Sequence, residues 1–305
     1  MATLVFGHKN PDTDSITSTL VMTDLQTKLG HDVMACRLGD VNKETQYILN
    51  HFQIEAPKLI DAVTENDEVI LVDHNEFNQS ADGIEKARIK MVVDHHRLAN
   101  FQTSEPLFYR AEPVGCTGTI LYKMYKENGI EIEPTMAGLM ASAIISDSLL
   151  FKSPTCTPED EKACRELAEI AGLDVEVYGL EMLKAGTDLS DYSAEQLLGI
   201  DSKVFPMGTS TVEIAQINTV SIEDMMTRKA ELEEQMKAII AQKGLNLFVA
   251  VITDILNSNS QVITLGDRTD IVEKAFNVEL VDNTALLAGV VSRKKQIVPF
   301  MDRNA

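Results

Sequence analysis

The chain has 305 residues, 44% of them hydrophobic, enough to bury a sizeable core as two domains or one large one. Its 27 basic and 47 acidic side chains leave a net charge of −20, which repels phosphodiester backbones at long range and excludes a broad nucleic-acid-binding face. An anionic substrate fits such a chain only where metal ions or a local basic cluster reverse the sign.

The first apolar run, Leu4-Val5-Phe6, reads as a strand, and the loop Gly7-His8-Lys9-Asn10-Pro11-Asp12-Thr13-Asp14-Ser15 follows it. Residues 15–29 then present Ile16, Leu20, Leu25 and Leu29 at helical spacing, with Asp14 or Ser15 as cap. One imidazole and two carboxylates therefore sit on a tight turn between strand and helix. Asp12 and Asp14 repel each other unless a cation neutralises them.

Residues 32–37 read as a second strand, 42–51 as a helix and 58–60 as a short strand. Glu68-Val69-Ile70-Leu71-Val72 is a continuous apolar strand ending in Asp73-His74-Asn75. After a polar loop and a short helix near residues 84–87, Lys90-Met91-Val92-Val93 ends in Asp94-His95-His96. Strands alternating with helices at this spacing predict a doubly wound, mainly parallel sheet covered on both faces.

Further on, residues 107–112 read as a strand, and Gly115-Cys116-Thr117-Gly118 opens a helix. That start lacks the lysine and spacing of a phosphate-binding loop, so a plain helix start is favoured over an anion cradle. A strongly apolar helix, 136–145, stops at Ser146-Asp147-Ser148, and helices over 157–171 and 175–184 follow. The polar, turn-forming stretch Gly186 to Ser193 marks a boundary. Expected are a metal-binding domain over 1–188, a linker over 189–195, and a smaller α/β domain over 196–305. In the last, a long charged helix over 222–242 and strands near 211–217, 248–253, 261–265, 279–281 and 288–291 are predicted.

Four cysteines (Cys36, Cys116, Cys156 and Cys164) contain no C-x-x-C pair and read as reduced thiols. No apolar stretch is long enough to span a bilayer and no leader-like segment opens the chain, so a soluble cytoplasmic protein with no membrane partner is expected. His31 and His51 read as surface or capping residues.

Four apolar runs stop at a potential metal ligand: His8, Asp73, the Asp94-His95-His96 triplet and Asp147. Ligand sites in open α/β sheets form beyond the carboxyl ends of the strands, so these endings should converge on one rim. Two imidazoles, four carboxylates (Asp12, Asp14, Asp73 and Asp147) and no thiolate suit Mn²⁺, Co²⁺ or Fe²⁺. Six ligands are too many for one ion that must also hold substrate. They fit a pair of ions with one Asp bridging, which would acidify a shared water and present hydroxide to phosphorus.

The loop motif, the Asp73-His74-Asn75 strand end and the Asp94-His95-His96 triplet resemble the DHH phosphoesterase superfamily. Within it, the whole chain resembles the manganese-dependent (family II) inorganic pyrophosphatases, down to the closing Ser292-Arg293-Lys294-Lys295-Gln296. The resemblance implies that His8, Asp12 and Asp73 hold one ion and Asp14, Asp73, His95 and Asp147 the other. It implies that His96 meets the substrate and can act as an acid, and that Lys203, Arg293 and Lys294 grip phosphoryl oxygens. Asp94 and His74 would orient ligands from behind. Also implied are an active site in a cleft between two domains, two Mn²⁺ with Co²⁺ as a substitute, a further Mg²⁺ or Mn²⁺ arriving with pyrophosphate, and a homodimer. Without the resemblance, Arg293-Lys294-Lys295 reads as a solvated basic tip. An exopolyphosphatase of the same superfamily is the rival activity, a short-oligonucleotide nuclease is disfavoured by charge, and a metal sensor would leave Arg293 and Lys294 without a role.

Overall fold

A computed structural model describes residues 2–305. The chain divides into two compact units, Met1–Gly186 and Thr187–Ala305.

The first unit opens with strand and helix alternating, then runs through four strands with no α-helix between them and closes on four helices. β1 (Thr3–Phe6), α1 (Thr13–Lys28), β2 (Val33–Arg37), α2 (Lys43–His51), β3 (Lys58–Leu59), β4 (Glu68–Val72), β5 (Arg88–Asp94) and β6 (Phe108–Ala111) come first. Then come α3 (Thr117–Glu127), α4 (Pro134–Ser148), α5 (Pro158–Ala171) and α6 (Val175–Gly186). The six strands form one sheet in the order β3-β2-β1-β4-β5-β6, with every neighbouring pair parallel. Both faces of the sheet are covered, so its central strands bury apolar side chains on each: Val5, Phe6, Val69, Leu71, Val72, Val92 and Val93 are all fully buried.

Local chemistry sets the helix ends. Asn42 caps α2 by accepting from the Thr45 N–H at 2.7 Å. Thr157 and Asp160 form a reciprocal capping box on α5, with Pro158 in its first turn and left-handed Gly172 closing it. Residues 84–87, read as a short helix from sequence, form turns instead.

The second unit contains α7 (Ala194–Gly199), β7 (Ser202–Met207), β8 (Ser210–Thr219), α8 (Ile222–Met226), α9 (Lys229–Lys243), β9 (Leu247–Asp254), β10 (Asn259–Gly266), α10 (Asp270–Phe276), β11 (Thr284–Ala288) and α11 (Val298–Asp302). Its sheet runs β11-β10-β9-β8-β7, antiparallel except for β8 beside β9. β9 is buried along its whole length, so Phe248, Ala250 and Ile252 pack on one face and Leu247, Val249 and Val251 on the other. The expected long helix over 222–242 is broken at Thr227 and Arg228. Within the break, Arg228 donates to the carbonyls of Leu189 and Tyr192. The strand expected over 279–281 is a single bridge at Val281, and the last strand lies at Thr284–Ala288 rather than over 288–291. Among the described residues, no helix is long and apolar enough to cross a membrane.

Candidate metal centre

Three adjacent parallel strands build the frame. β1, β4 and β5 lie side by side, and beyond their carboxyl ends come His8, Asp73 and His95 with His96. The strand order reverses between β1 and β4, so this rim is the switch point at which an open α/β sheet leaves a crevice.

α1 adds Asp12 and Asp14. Asp12 is the N-cap, its Oδ1 accepting from the Ser15 N–H at 3.0 Å. Gly7 permits this tight turn, because a Cβ at that position would stand 1.9 Å from Ser15 Oγ. Gly7→Ala should therefore destabilise the apo-protein by about 1–3 kcal/mol, the usual cost of overpacking, readable in denaturant unfolding.

Asp147 comes from the last turn of α4, which runs on to Ser148 rather than stopping short of the ligand. Three consecutive left-handed residues, Leu149, Leu150 and Phe151, turn the chain away immediately afterwards (φ 47°, 51° and 65°). Asp73 is left-handed too (φ 58°). Such backbone costs roughly 1–2 kcal/mol per residue and persists where the surroundings dictate it, typically at working sites.

The side chains converge. Ligand atoms about 2.1 Å from one divalent ion stand about 3 to 4.3 Å from each other. His8 Nε2 lies 3.5 Å from Asp12 Oδ2 and 3.4 Å from Asp73 Oδ2. On the other side, His95 Nε2 lies 3.4 Å from Asp73 Oδ1, 3.8 Å from Asp147 Oδ2 and 3.9 Å from Asp14 Oδ2. Asp73 thus turns one oxygen to each group. Its Oδ2 is buried and accepts no hydrogen bond, an orphaned lone pair that a cation would satisfy.

Both imidazoles are oriented for ligation. His8 Nδ1 lies 2.8 Å from the Lys9 carbonyl and His95 Nδ1 lies 3.2 Å from the Val114 carbonyl, so each donates there and frees Nε2 for a metal. His74 differs. Its two nitrogens are taken by the Val72 carbonyl at 2.9 Å and Ser80 Oγ at 3.0 Å, and burial pushes its pKa down to about 4. It packs behind the ligands as a neutral ring. His96 is half exposed, with its Nδ1 held 2.9 Å from Asp94 Oδ1. Asp94 is itself fixed by Asn75, whose Nδ2 donates to Oδ2 at 2.6 Å.

Electrostatics point the same way. Burial disfavours charge on His8, but the Asp12 and Asp73 carboxylates overcome it and hold its pKa near 11. Burial likewise opposes His95, yet Asp73 and Asp14 lift it to about 9. Burial and the neighbouring Asp73 push Asp14 up to about 7, and burial with Asp14 raises Asp147 well above the carboxylate range. Burial also acts against Asp73, where His8 and His95 win and keep it ionised. The cluster draws positive charge, and without ions protons supply it. The ligand forms are neutral imidazoles and ionised carboxylates, so loading must expel the protons of His8 and His95. Mn²⁺ addition at pH 7 should release at least about two protons, and affinity should rise roughly tenfold per pH unit for each proton displaced. Proton release in weak buffer and Mn²⁺ titrations between pH 6 and 8.5 check this.

Three contributors escaped the sequence reading. The start of α3 is no phosphate cradle, because its N–H groups are occupied: Thr117 and Gly118 donate to the Asp14 carboxylate at 2.7 and 3.2 Å, and Gly115 donates to Asp160 at 2.8 Å. The Thr117 hydroxyl donates to Asp73 Oδ1 at 3.2 Å. The buried Cys116 thiol stands with Asp14 and Asp147, ligand atoms within 4.8 Å of one another, and burial followed by the Asp14 charge keeps it protonated. Their partners lie dozens to more than a hundred residues away in sequence, too far for a local pattern.

In the second unit, Arg293 is not a solvated tip. Its guanidinium is buried and donates to Asp201 Oδ1 at 2.5 Å, to the Asp201 carbonyl and to the Ile214 carbonyl at 3.3 Å. Ile214 is the strand partner of Lys203, so the π-helical turn Arg293–Ile297 and β7 share one edge. Lys203 and Lys294 are exposed.

Known proteins resemble the chain along nearly its whole length. The family model "DHH family, N-terminal domain" matches residues 2–144 and the "DHHA2 domain" matches residues 180–304. A "probable manganese-dependent inorganic pyrophosphatase" of Exiguobacterium sp. is 63% identical over 303 residues, covering 99% of this chain and 98% of that protein. The "manganese-dependent inorganic pyrophosphatase" of Bacillus subtilis is 59% identical over 299 residues, covering 98% and 97%. A crystal structure of a "putative family II inorganic pyrophosphatase" from Methanococcus jannaschii superposes with a TM-score of 0.62 at 37% identity, covering 100% of this chain and 99% of that one. With relatives this similar along nearly its whole length, the chain belongs to the manganese-dependent inorganic pyrophosphatases, a family of hydrolases.

Proposed function

We propose that the protein hydrolyses inorganic pyrophosphate to two phosphates at a pair of manganese ions. His8, Asp12 and Asp73 hold one ion, and Asp14, Asp73, His95 and Asp147 hold the other. The two-sided Asp73 carboxylate, 3.4 Å from His8 Nε2 through one oxygen and 3.4 Å from His95 Nε2 through the other, carries this reading. The resident ions would supply charge neutralisation and an acidified water.

The remaining work falls to the chain's own groups. The hydrogen bond to Asp94 raises the pKa of His96, favouring a protonated ring whose Nε2–H reaches a phosphoryl oxygen and gives its proton to the departing phosphate. Lys203 and Lys294 meet phosphoryl oxygens as point charges, joined by the donors of Arg293 that Asp201 and Ile214 leave over. In this proposal Co²⁺ replaces Mn²⁺ effectively, a further Mg²⁺ or Mn²⁺ arrives with pyrophosphate, and the protein acts as a cytoplasmic homodimer.

The test is phosphate release from pyrophosphate and from long-chain polyphosphate, side by side, by chelator-stripped protein resupplied with Mn²⁺, Co²⁺, Zn²⁺ or Mg²⁺. Fast release from pyrophosphate alone, restored by Mn²⁺ or Co²⁺, is the expected result. Preference for the long polymer transfers the site to an exopolyphosphatase, and no release with any metal overturns the proposal.

A further inference from the structure

A half-buried carboxylate that the proposed reaction does not use lies just behind the metal centre. Glu44, in the first turn of α2, accepts two hydrogen bonds on the same oxygen, Oε1. One comes from Thr13 Oγ1 at 2.7 Å and the other from Ser146 Oγ at 2.5 Å. The donors sit in meaningful places: Thr13 lies between Asp12 and Asp14, and Ser146 immediately precedes Asp147. The Thr13 hydroxyl is fixed in turn by Thr45 Oγ1 at 3.1 Å.

The other side of Glu44 is packed. At Gly186, the last residue of α6, an added Cβ would stand 2.9 Å from both Glu44 Cβ and Oε2. The side chain is therefore confined on one side by α6 and drawn by two hydroxyls on the other. Burial raises its pKa, and the groups acting on it are those hydroxyls and the Asp12 carboxylate, with no cation among them. A half-buried carboxylate with no cation beside it gains little for stability over an apolar side chain of similar shape. Its contacts give it a use in geometry rather than in packing.

We propose that Glu44 is a positioning residue of the metal centre, a single acceptor oxygen that holds the start of α1 and the end of α4 at a fixed spacing. Asp14 and Asp147 ride on those two segments and face the same ion, whereas only Asp12 of the other ligand set does. Loss of the clamp therefore falls mainly on the ion held with His95. The inference rests on the two-ion reading above, and it assigns Glu44 no contact with substrate.

The chemistry offers a clean separation of clamp from charge. Glutamine keeps an acceptor oxygen of the same reach for both hydroxyls, while alanine removes it. Chelator-stripped wild type, Glu44→Gln and Glu44→Ala would each be titrated with Mn²⁺, free ion being followed by its electron paramagnetic resonance signal and apo-protein stability by thermal unfolding. Removing a partner behind a ligand usually weakens a metal site about 10–100-fold. Glu44→Ala should lose that much for one of two ions with little change for the other, and Glu44→Gln should stay within about threefold of wild type. Ser146→Ala and Thr13→Val, each deleting one bond, should fall between. These two decide the matter if Glu44→Ala fails to fold.

Wild-type affinity for both ions in Glu44→Ala, or in both single-bond variants, overturns the proposal. Equal weakening in Glu44→Gln and Glu44→Ala also overturns it, because charge and not the clamp would then be responsible. A wild-type protein that binds fewer than two ions instead defeats the two-ion reading, and the titration reports that separately.

Discussion

Asp73→Asn should lose both ions and pyrophosphate hydrolysis in one step. The substitution is unusually clean. Asparagine tolerates the left-handed backbone that Asp73 adopts (φ 58°), so the turn after β4 should survive. What disappears is one negative charge that faces His8 on one side and His95 on the other. The amide nitrogen must then point at one of the two imidazoles, replacing a ligand by a donor. Loss of a partner behind a ligand already costs metal sites about 10–100-fold, so loss of a shared ligand should cost at least about 100-fold in affinity at each ion. Metal content after gel filtration, alongside apo-protein thermal unfolding, reads this directly. Retention of one ion at wild-type affinity would remove Asp73 from the bridging position.

His96→Gln should separate binding from turnover. The ring is half exposed, and its Nδ1 is committed to Asp94, so Nε2 is the nitrogen left to meet a substrate. Because Asp94 favours the protonated ring, the expected role is proton donation, whose removal typically costs 10²–10⁴-fold in rate, roughly 3–5 kcal/mol of barrier. Both ions should remain bound. The fall in kcat on raising pH, produced in wild type by deprotonation of the imidazolium, should vanish in the variant. A variant that loses an ion instead would make His96 a ligand, in keeping with its place beside Asp73 and His95, whose ligand atoms lie within 4.8 Å of one another and of its own.

The parallel sheet and its rim were legible because His8, Asp73 and the Asp94-His95-His96 triplet each close an apolar run. The period of the strands exposes where they stop, and parallel topology brings the stops together. Asp147 was legible for a related reason, although its helix extends past it. The break between α8 and α9 was not: the contacts Arg228 makes there are with carbonyls almost forty residues earlier in the chain. The environment of Asp14 was hidden in the same way. Nothing near Thr117 or Gly118 in sequence announces a carboxylate from the far end of the unit. The burial of Arg293 depends on Asp201 and Ile214, and a run of three basic residues gives no hint that one turns inward while the others stay in solvent.

The hold on Asp14 has an evolutionary corollary. Its carboxylate is gripped by the main-chain N–H groups of Thr117 and Gly118. Every amino acid except proline carries that donor, so drift in side-chain identity at these positions leaves the grip chemically intact. Lineages can therefore vary the neighbourhood, within the space that Met140 and Ala143 leave around Gly118, without re-inventing the anchor. Asp14 itself enjoys no such latitude: a change there strands two helix-terminal donors in a dry interior and, on the two-ion proposal, would also empty a coordination position, so it is penalised twice.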